Sequence, residues 1–491
     1  MRTASPTKPD LSHLTPSDRA LYRCRAAFEF KDRGDYDAAQ EIMRPIWKRV
    51  GVRPDTTGLP PAVTAEVLFC VGVLTGWIGS RNEIKEADDW ARDLLTESSR
   101  FYESIGDSKT VAEIRSELAY CYWRAGSLDE ARIMFTEALE RLIEVNTRGN
   151  ALLGLSVVEW SACRYRESLK ILTANAPLFE KATNETVKGF YHNQLAMILR
   201  KLTTPAKRTN QLKRVIAEYE QADHHFKLAR NTVFRAHVKN NIGNVLRDLG
   251  HYTEALEYLD HARRLTVNVR DRVRTAQVDE TRAQVFIAQK NYAEGERAAG
   301  FAAKSFEKAG RQCFLTDALI TQGIALARLH QTQRAQFTFQ KAIEVGHQAG
   351  ALNRAGLAAL TMIEEMDQLP SEIQYAAYEQ AKEWLADSQS PDVKLRFEAV
   401  AKKLALELRG KPKGEVAADV LYNKPLHLPD EVLKFERDLI SSALAKVNGS
   451  PTQAAKLLGI GYQRLGYILD TRHKDLQKER TPVRRRTPKN K

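Results

Sequence analysis

The chain has 491 residues, 28% charged and 43% hydrophobic, and its 75 Lys+Arg against 62 Asp+Glu give a net charge of +13. That length exceeds one ordinary core and implies several domains or a repeat array, while the charge favours an anionic partner or a basic tail. No apolar run reads as a bilayer span, so no membrane partner is expected; five scattered cysteines without a CxxC pair exclude a disulfide framework and a zinc site.

Residues 1–16 read as a flexible start. They lack the apolar stretch of a signal peptide, and a reducing cytoplasm is the expected compartment. From residue 17 onward two small side chains recur at a fixed distance. Ala27 and Ala39, Ala119 and Ala131, Gly243 and Ala255, Ala283 and Gly295, Gly323 and Ala335 are each twelve positions apart. Such a pair lets two helix backbones approach, and a Gly or polar residue between them ends the first helix. This set resembles the tetratricopeptide repeat, a helical hairpin stacked into a superhelix. The period from Gly243 to Ala283 to Gly323 is 40 residues, longer than the roughly 34 of that family, so longer helices are expected. Weaker copies, among them Gly72 facing Ala87 or Ala91, extend the array over 17–408 as about nine hairpins. An insertion at 202–210 reads as a loop. The cysteines fall on or near first helices and are expected to be mostly buried.

First helices line the concave face of such a superhelix. Asn193 and Arg200 flank Ala196 as Asn240 and Arg247 flank Gly243, and Asn244, Glu280 and Gln284 extend the strip. Asparagine both donates and accepts, which suits an extended peptide backbone; resemblance to peptide-binding members implies a protein or peptide ligand here. A solvated polar helix face is the plainer reading. Trp123 and Trp160 share a register and fit either an aromatic wall or core packing.

Residues 409–429 read as a linker. A helix is expected from Pro429 or Asp430 to about Lys446, with apolar residues on more than one stripe. Asn448-Gly449 ends it, Ser450 is placed to cap the next helix, Pro451 to open it, Ala454-Ala455 to permit a close crossing and Gly459 to turn. This helix-turn-helix over 430–475 resembles Fis and the DNA-binding domain of NtrC-type activators in Glu436, Leu439-Ile440, Ala443-Leu444, Gly449, Thr452, Ala454-Ala455, Leu457-Leu458-Gly459-Ile460 and Leu465. The resemblance implies that Thr452 and Gln453 lie near phosphates and that Tyr462, Gln463, Arg464 and Tyr467 lie on the recognition helix. It places Arg472 and Lys474 on phosphate, Leu465 and Leu469 in the core, and a homodimer through 430–447. Gln463 suits adenine and Arg464 guanine. Gly466 and Asp470 depart from the pattern: glycine weakens a helix, and a carboxylate facing DNA repels phosphate.

The last 21 residues carry nine basic and two acidic side chains, a net +7, whereas 427–470 is neutral. The tail at 476–491 is expected to be disordered and to follow a phosphate backbone. No nucleotide-binding, metalloprotease or nucleophile-elbow motif is present, and adjacent His224 and His225 on a helix point to different faces. No enzyme activity, cofactor or metal site is expected. The chain thus reads as all-α: a tetratricopeptide superhelix followed by a small Fis-like helix-turn-helix. The expected function is a cytoplasmic bacterial DNA-binding regulator. The alternative is a scaffold whose helix-turn-helix serves dimerisation or docking.

Overall fold

A computed structural model describes residues 11–203, 208–386, 391–410 and 428–479. Among them every regular element is a helix, and the chain divides into one unit up to Leu406 and a second from Glu407. The core of the expected linker, 411–427, the loop residues 204–207 and the tail from 480 lie outside the described residues.

The first unit is a run of hairpins. In order these are α1 (Pro16–Asp32) with α2 (Tyr36–Met43), α3 (Pro61–Asn82) with α4 (Ala87–Ser104), and α5 (Ser108–Arg124) with α6 (Leu128–Leu139). Next comes α7 (Val145–Ser161) with α8 (Tyr165–Ala174) and the short α9 (Ala176–Lys181). Then follow α10 (Glu185–Lys201) with α11 (Arg208–Leu228), α12 (Thr232–Asp248) with α13 (Tyr252–Asn268), and α14 (Arg272–Ala288) with α15 (Tyr292–Lys308). The last are α16 (Gln312–Arg328) with α17 (Thr332–Gln348), α18 (Leu352–Glu365) with α19 (Ser371–Trp384), and a single α20 (Pro391–Gly410). Helices α12 to α17 each have 17 residues, and two of them with two three-residue turns fill the 40-residue period. Each of these turns needs a left-handed residue. Gly250, Gly310 and Gly350 supply it without cost, but Arg270, Lys290 and His330 also adopt it, at φ 57°, 63° and 59°.

The paired small residues are all buried, and Gly243 and Gly323 each face a large side chain rather than their small partner. A methyl group on Gly243 would lie 2.6 Å from Cγ of Leu259, and one on Gly323 would lie 2.8 Å from the Phe339 ring. The small residue makes a socket for a large one sixteen positions later. Phe135 and Phe226 fill similar sockets at Gly154 and Gly189, and with Phe306 and Phe339 they are essentially inaccessible.

One expectation needs correction. Helix α3 is long and apolar enough to cross a membrane, at mean hydropathy 1.7, although no such run was expected. Seventy-two per cent of that stretch is buried inside the array, where α3 packs between α1 and α4, so its apolarity serves the core. Cys24, Cys70 and Cys121 are buried, but Cys163 is exposed in a turn at φ 60°. All five cysteines are free.

The array also makes contacts that a nearest-neighbour solenoid lacks. The carbonyl of Asp32, at the end of α1, accepts from Thr186 Oγ1 at 2.9 Å and from Asn231 Nδ2 at 2.9 Å. Asn184 Nδ2 donates to the Asp32 carboxylate at 2.9 Å. Near the end of α3, Arg311 Nη1 lies 2.5 Å from Glu83 Oε1, and Arg311 Nη2 donates to the Arg81 carbonyl at 2.8 Å. The first two hairpins are thereby tied to α10, α12 and the α15–α16 turn.

The second unit contains α21 (Leu428–Lys446), α22 (Pro451–Leu457), α23 (Tyr462–Thr471) and a short 3-10 helix, Lys474–Glu479. Ile440, Ala443 and Leu444 of α21 pack against Ala454, Ala455, Leu465, Leu469 and Leu476. Leu476 belongs to this core, so the module runs past the expected end at 475, and 476–479 is helix where a tail was expected. Residues 409–410 close α20 and 428–429 open α21, which shortens the expected linker at both ends.

Candidate nucleic-acid and partner interfaces

The turn between α21 and α22 follows from its sequence. Asn448 and Gly449 take φ 50° and 78°, and the Gly449 amide donates to the Leu444 carbonyl at 2.8 Å. Pro451 opens α22 as expected, but Ser450 makes no side-chain capping bond. Gly459 at φ 66° turns the chain into α23, and the Ile460 amide donates to the Ala455 carbonyl at 3.0 Å. Leu465 and Leu469 are buried and fix the inner face of α23. The opposite face therefore presents Gln463, Arg464 and Tyr467, with Tyr462 at its start. All four are exposed and have no side-chain hydrogen bond or ion pair among the described residues. Thr452 and Gln453 are exposed in the first turn of α22.

Residues 472–475 are tied back to α21. Arg472 Nη1 lies 3.4 Å from Glu436 Oε1, so this expected phosphate ligand already has a partner, though an exposed and weak one. Lys474 is exposed without a salt bridge among the described residues. Buried His473 reaches Glu436 Oε2 at 3.0 Å, and Arg437 Nε donates to Asp475 Oδ2 at 2.7 Å. His473 was missed from sequence because its partner lies 37 positions away. Asp470 is exposed on the outer half of α23 and accepts from Gln477 Nε2 at 2.7 Å, which ties down part of its carboxylate. No atom lies within 4 Å of where a Gly466 methyl would sit, so packing gives no reason for glycine there.

The polar strip of the array is a connected network. Arg200 Nη2 pairs with Asp248 Oδ2 at 2.7 Å, and Arg247 Nη2 with Asp248 Oδ1 at 2.9 Å. Arg247 also bonds Gln284, whose Nε2 donates to Glu280 Oε1 at 2.6 Å. Thr321 Oγ1 donates to the same Glu280 oxygen at 2.7 Å. The chain of contacts thus runs from α10 through α12 and α14 to α16. Sequence reasoning missed Asp248 and Thr321, which join its ends. Burial pushes the Glu280 carboxyl up, against the opposing bonds from Thr321 and Gln284. Asn193 and Asn240 lie beside this network. Asn193 Nδ2 reaches only the Met197 sulfur at 3.6 Å, and the carbonyl oxygens of both side chains are buried without a partner. Asn244 Nδ2 donates to the Asn240 backbone carbonyl at 3.3 Å. Two orphaned acceptors leave this strip unsatisfied in the free chain.

Residues 432–470 match the family described as bacterial regulatory protein, Fis family, and residues 235–269 match the tetratricopeptide repeat. The chain carries a tetratricopeptide array and a Fis-family helix-turn-helix. Neither matching family is a catalytic one. No curated protein matches the sequence. Among solved structures, a STAND protein with a tetratricopeptide repeat sensor from Pyrococcus horikoshii is 12% identical at a TM-score of 0.51, over 76% of this chain and 54% of that one. This chain thus spans about half of that protein. Aspartyl phosphate phosphatase F from Bacillus subtilis is 12% identical over 84% of this chain and 98% of that one, at a TM-score of 0.45. A Rap protein complexed with Competence and Sporulation Factor is 12% identical over 80% of this chain and 100% of that one, also at 0.45. At such identity the likeness is one of fold.

Within the tetratricopeptide array, Trp123 and Trp160 are half-buried edge pieces of the core rather than one wall. Trp123 Nε1 donates to Ser161 Oγ at 2.8 Å. His237, at the surface beside Asn241 on α12, is pushed down to about 4 by the loss of hydration from the groups packed around it and by the Arg274 charge.

Proposed function

We propose that the Fis-family module binds DNA through α23 in the major groove, and that the array binds a protein or peptide partner along the Asn193–Asn240–Glu280 strip. One observation carries the reading. Leu465 and Leu469 bury one side of α23, which leaves Gln463, Arg464 and Tyr467 outward with no side-chain partner among the described residues. Arg and Gln are suited to guanine and adenine edges, and exposed Lys456, Lys474 and Lys478 flank them with positive charge for phosphate. Thr452 and Gln453, at the start of α22, are placed for backbone contact, and Arg472 joins them on release from Glu436.

Leu433, Phe435 and Leu439 of α21 remain 40%, 53% and 40% exposed. They supply the contact for a homodimer, which would read two half-sites about one helical turn apart. The amides of Asn240 and Asn244 can both donate and accept, which favours an extended peptide backbone as the ligand. A cytoplasmic regulator of transcription is the role that joins these parts.

The test is a gel-shift titration of full-length protein with genomic fragments across salt. Salt-dependent binding supports the reading, and no binding to any fragment at low salt overturns it. For the array, Asn240→Ala with Asn244→Ala is expected to weaken partner capture while thermal unfolding stays unchanged.

A further inference from the structure

Apart from the strip, a cavity of about 320 Å³ opens where α9, α10 and α11 meet. One wall is aromatic: Tyr191 stacks on Phe179 with centroids 4.4 Å apart and planes 20° apart. The other is a pair of imidazoles. His192 and His225 lie parallel within 9°, 5.4 Å between centroids. A carboxylate holds each ring. His192 Nδ1 lies 2.8 Å from Glu218 Oε2, and His225 Nδ1 lies 2.6 Å from Glu185 Oε2. An ionised carboxylate only accepts, so each neutral ring carries its proton on Nδ1 and has a lone pair on Nε2. Neither Nε2 has a hydrogen-bond partner among the described residues.

The charges around the cavity are uneven. Glu180 comes from α9, Glu185 and Lys188 from α10, and Glu218 from α11. Lys188 lies 4.0 Å from Glu185. Arg214 acts on Tyr191 more weakly than the carboxylates Glu218 and Glu180 do, and His224 stands edge-on to His225. With neutral imidazoles the wall is rich in acceptors, negative, and flat on two sides.

We infer that this cavity receives a guanidinium group, the side chain of an arginine on a protein or peptide partner. A guanidinium is planar, permanently charged and has donors only. It stacks on Tyr191 while its donors meet Glu218, Glu180 and an imidazole Nε2. An anion would face three carboxylates. A transition metal would suit carboxylate-backed imidazoles, but no group of three His, Cys, Asp or Glu among the described residues is placed to hold one. The inference rests on the reading that the array engages a protein or peptide, and it places that contact off the asparagine strip. It also sets a pH sign. Burial pushes His225 down, against Glu185; once that ring protonates in acid, it places positive charge on the wall and repels the cation.

The experiment is a titration of the full chain, with a chelator present, by Nα-acetyl-arginine amide, with the uncharged Nα-acetyl-citrulline amide beside it, read by ligand-observed NMR. Saturable binding of the arginine probe alone at pH 7.5, weaker at pH 5.5, is expected. Glu218→Gln should weaken it about tenfold, the worth of one charged hydrogen bond. Exposed Glu180→Gln, which leaves the His192 pair intact, should weaken it less. Equal binding of citrulline, no saturable binding, or indifference to both substitutions overturns the proposal. The Asn240→Ala, Asn244→Ala variant should bind the probe as well as the parent does. Loss of binding there would place the site on the strip and overturn its separateness.

Discussion

The array and the helix-turn-helix treat their polar side chains in opposite ways. In the array, Arg200, Asp248, Arg247, Gln284, Glu280 and Thr321 bond one another from α10 to α16, and on the strip the buried carbonyls of Asn193 and Asn240 lack partners among the described residues. In the module, Tyr462, Gln463, Arg464 and Tyr467 of α23 have no side-chain partner among the described residues, while those behind them, Glu436 with His473 and Arg437 with Asp475, are paired. A preorganised, internally bonded surface suits a ligand that matches a fixed arrangement of groups. A row of free donors suits a charged polymer that supplies its own acceptors.

The largest expected effect tests whether the two regions are stable independently. Phe339→Ala removes a fully buried ring from the α16–α17 socket, and about 3–5 kcal/mol of array stability should go with it in thermal unfolding. If the regions are independent, the DNA affinity of the folded fraction does not change. Asn231→Ala should cost about 1–3 kcal/mol, because it removes one of the two side-chain bonds to the Asp32 carbonyl and an N-cap. Hydrogen exchange in α1 and α2 should accelerate more than in α18, since the bond to Asp32 is what ties the first hairpin to α12. Uniform acceleration would mean that the closure is not a separate contact.

A smaller effect concerns the module alone. Gly466→Ala should stabilise it by about 0.5–1 kcal/mol, because the position is helical and nothing crowds a methyl there. If the substitution also weakens DNA binding, glycine is there to let the helix backbone approach the groove. The smallest concerns acid. His237 titrates near 4 in the folded chain and near the ordinary value of about 6.5 when unfolded. The unfolded chain therefore binds more protons between these values, so this contribution to stability is complete above about 6.5 and is lost as pH falls towards 4. His237→Gln should flatten that part of the acid slope in denaturant titrations; an unchanged slope would assign it to other groups.

The fold was largely legible because both units carry short-range signals. The twelve-residue spacing marks hairpins, and Asn448-Gly449 with Gly459 marks the turns of the module. What remained hidden depends on partners far along the chain. Asp32 meets Asn231, Arg311 meets Glu83, and His192 meets His225, none at a spacing that any periodicity marks. The apolar run of α3 is interrupted by small and polar residues such as Gly72, Thr75 and Gly76, and its glycines are what let it pack closely inside the array. In the strip, the asparagines were visible as a repeated register, whereas Asp248 and Thr321 gain meaning only from the network they complete.

The most direct test of the central claim is selection of DNA sequences from a random pool by the full-length protein and by its Arg464→Ala variant. The account predicts an enriched two-fold symmetric site for the parent, and for the variant the loss of preference at one guanine-bearing position in each half-site, worth about 1–3 kcal/mol. No enriched site for the parent, or the same preference from both proteins, would contradict it.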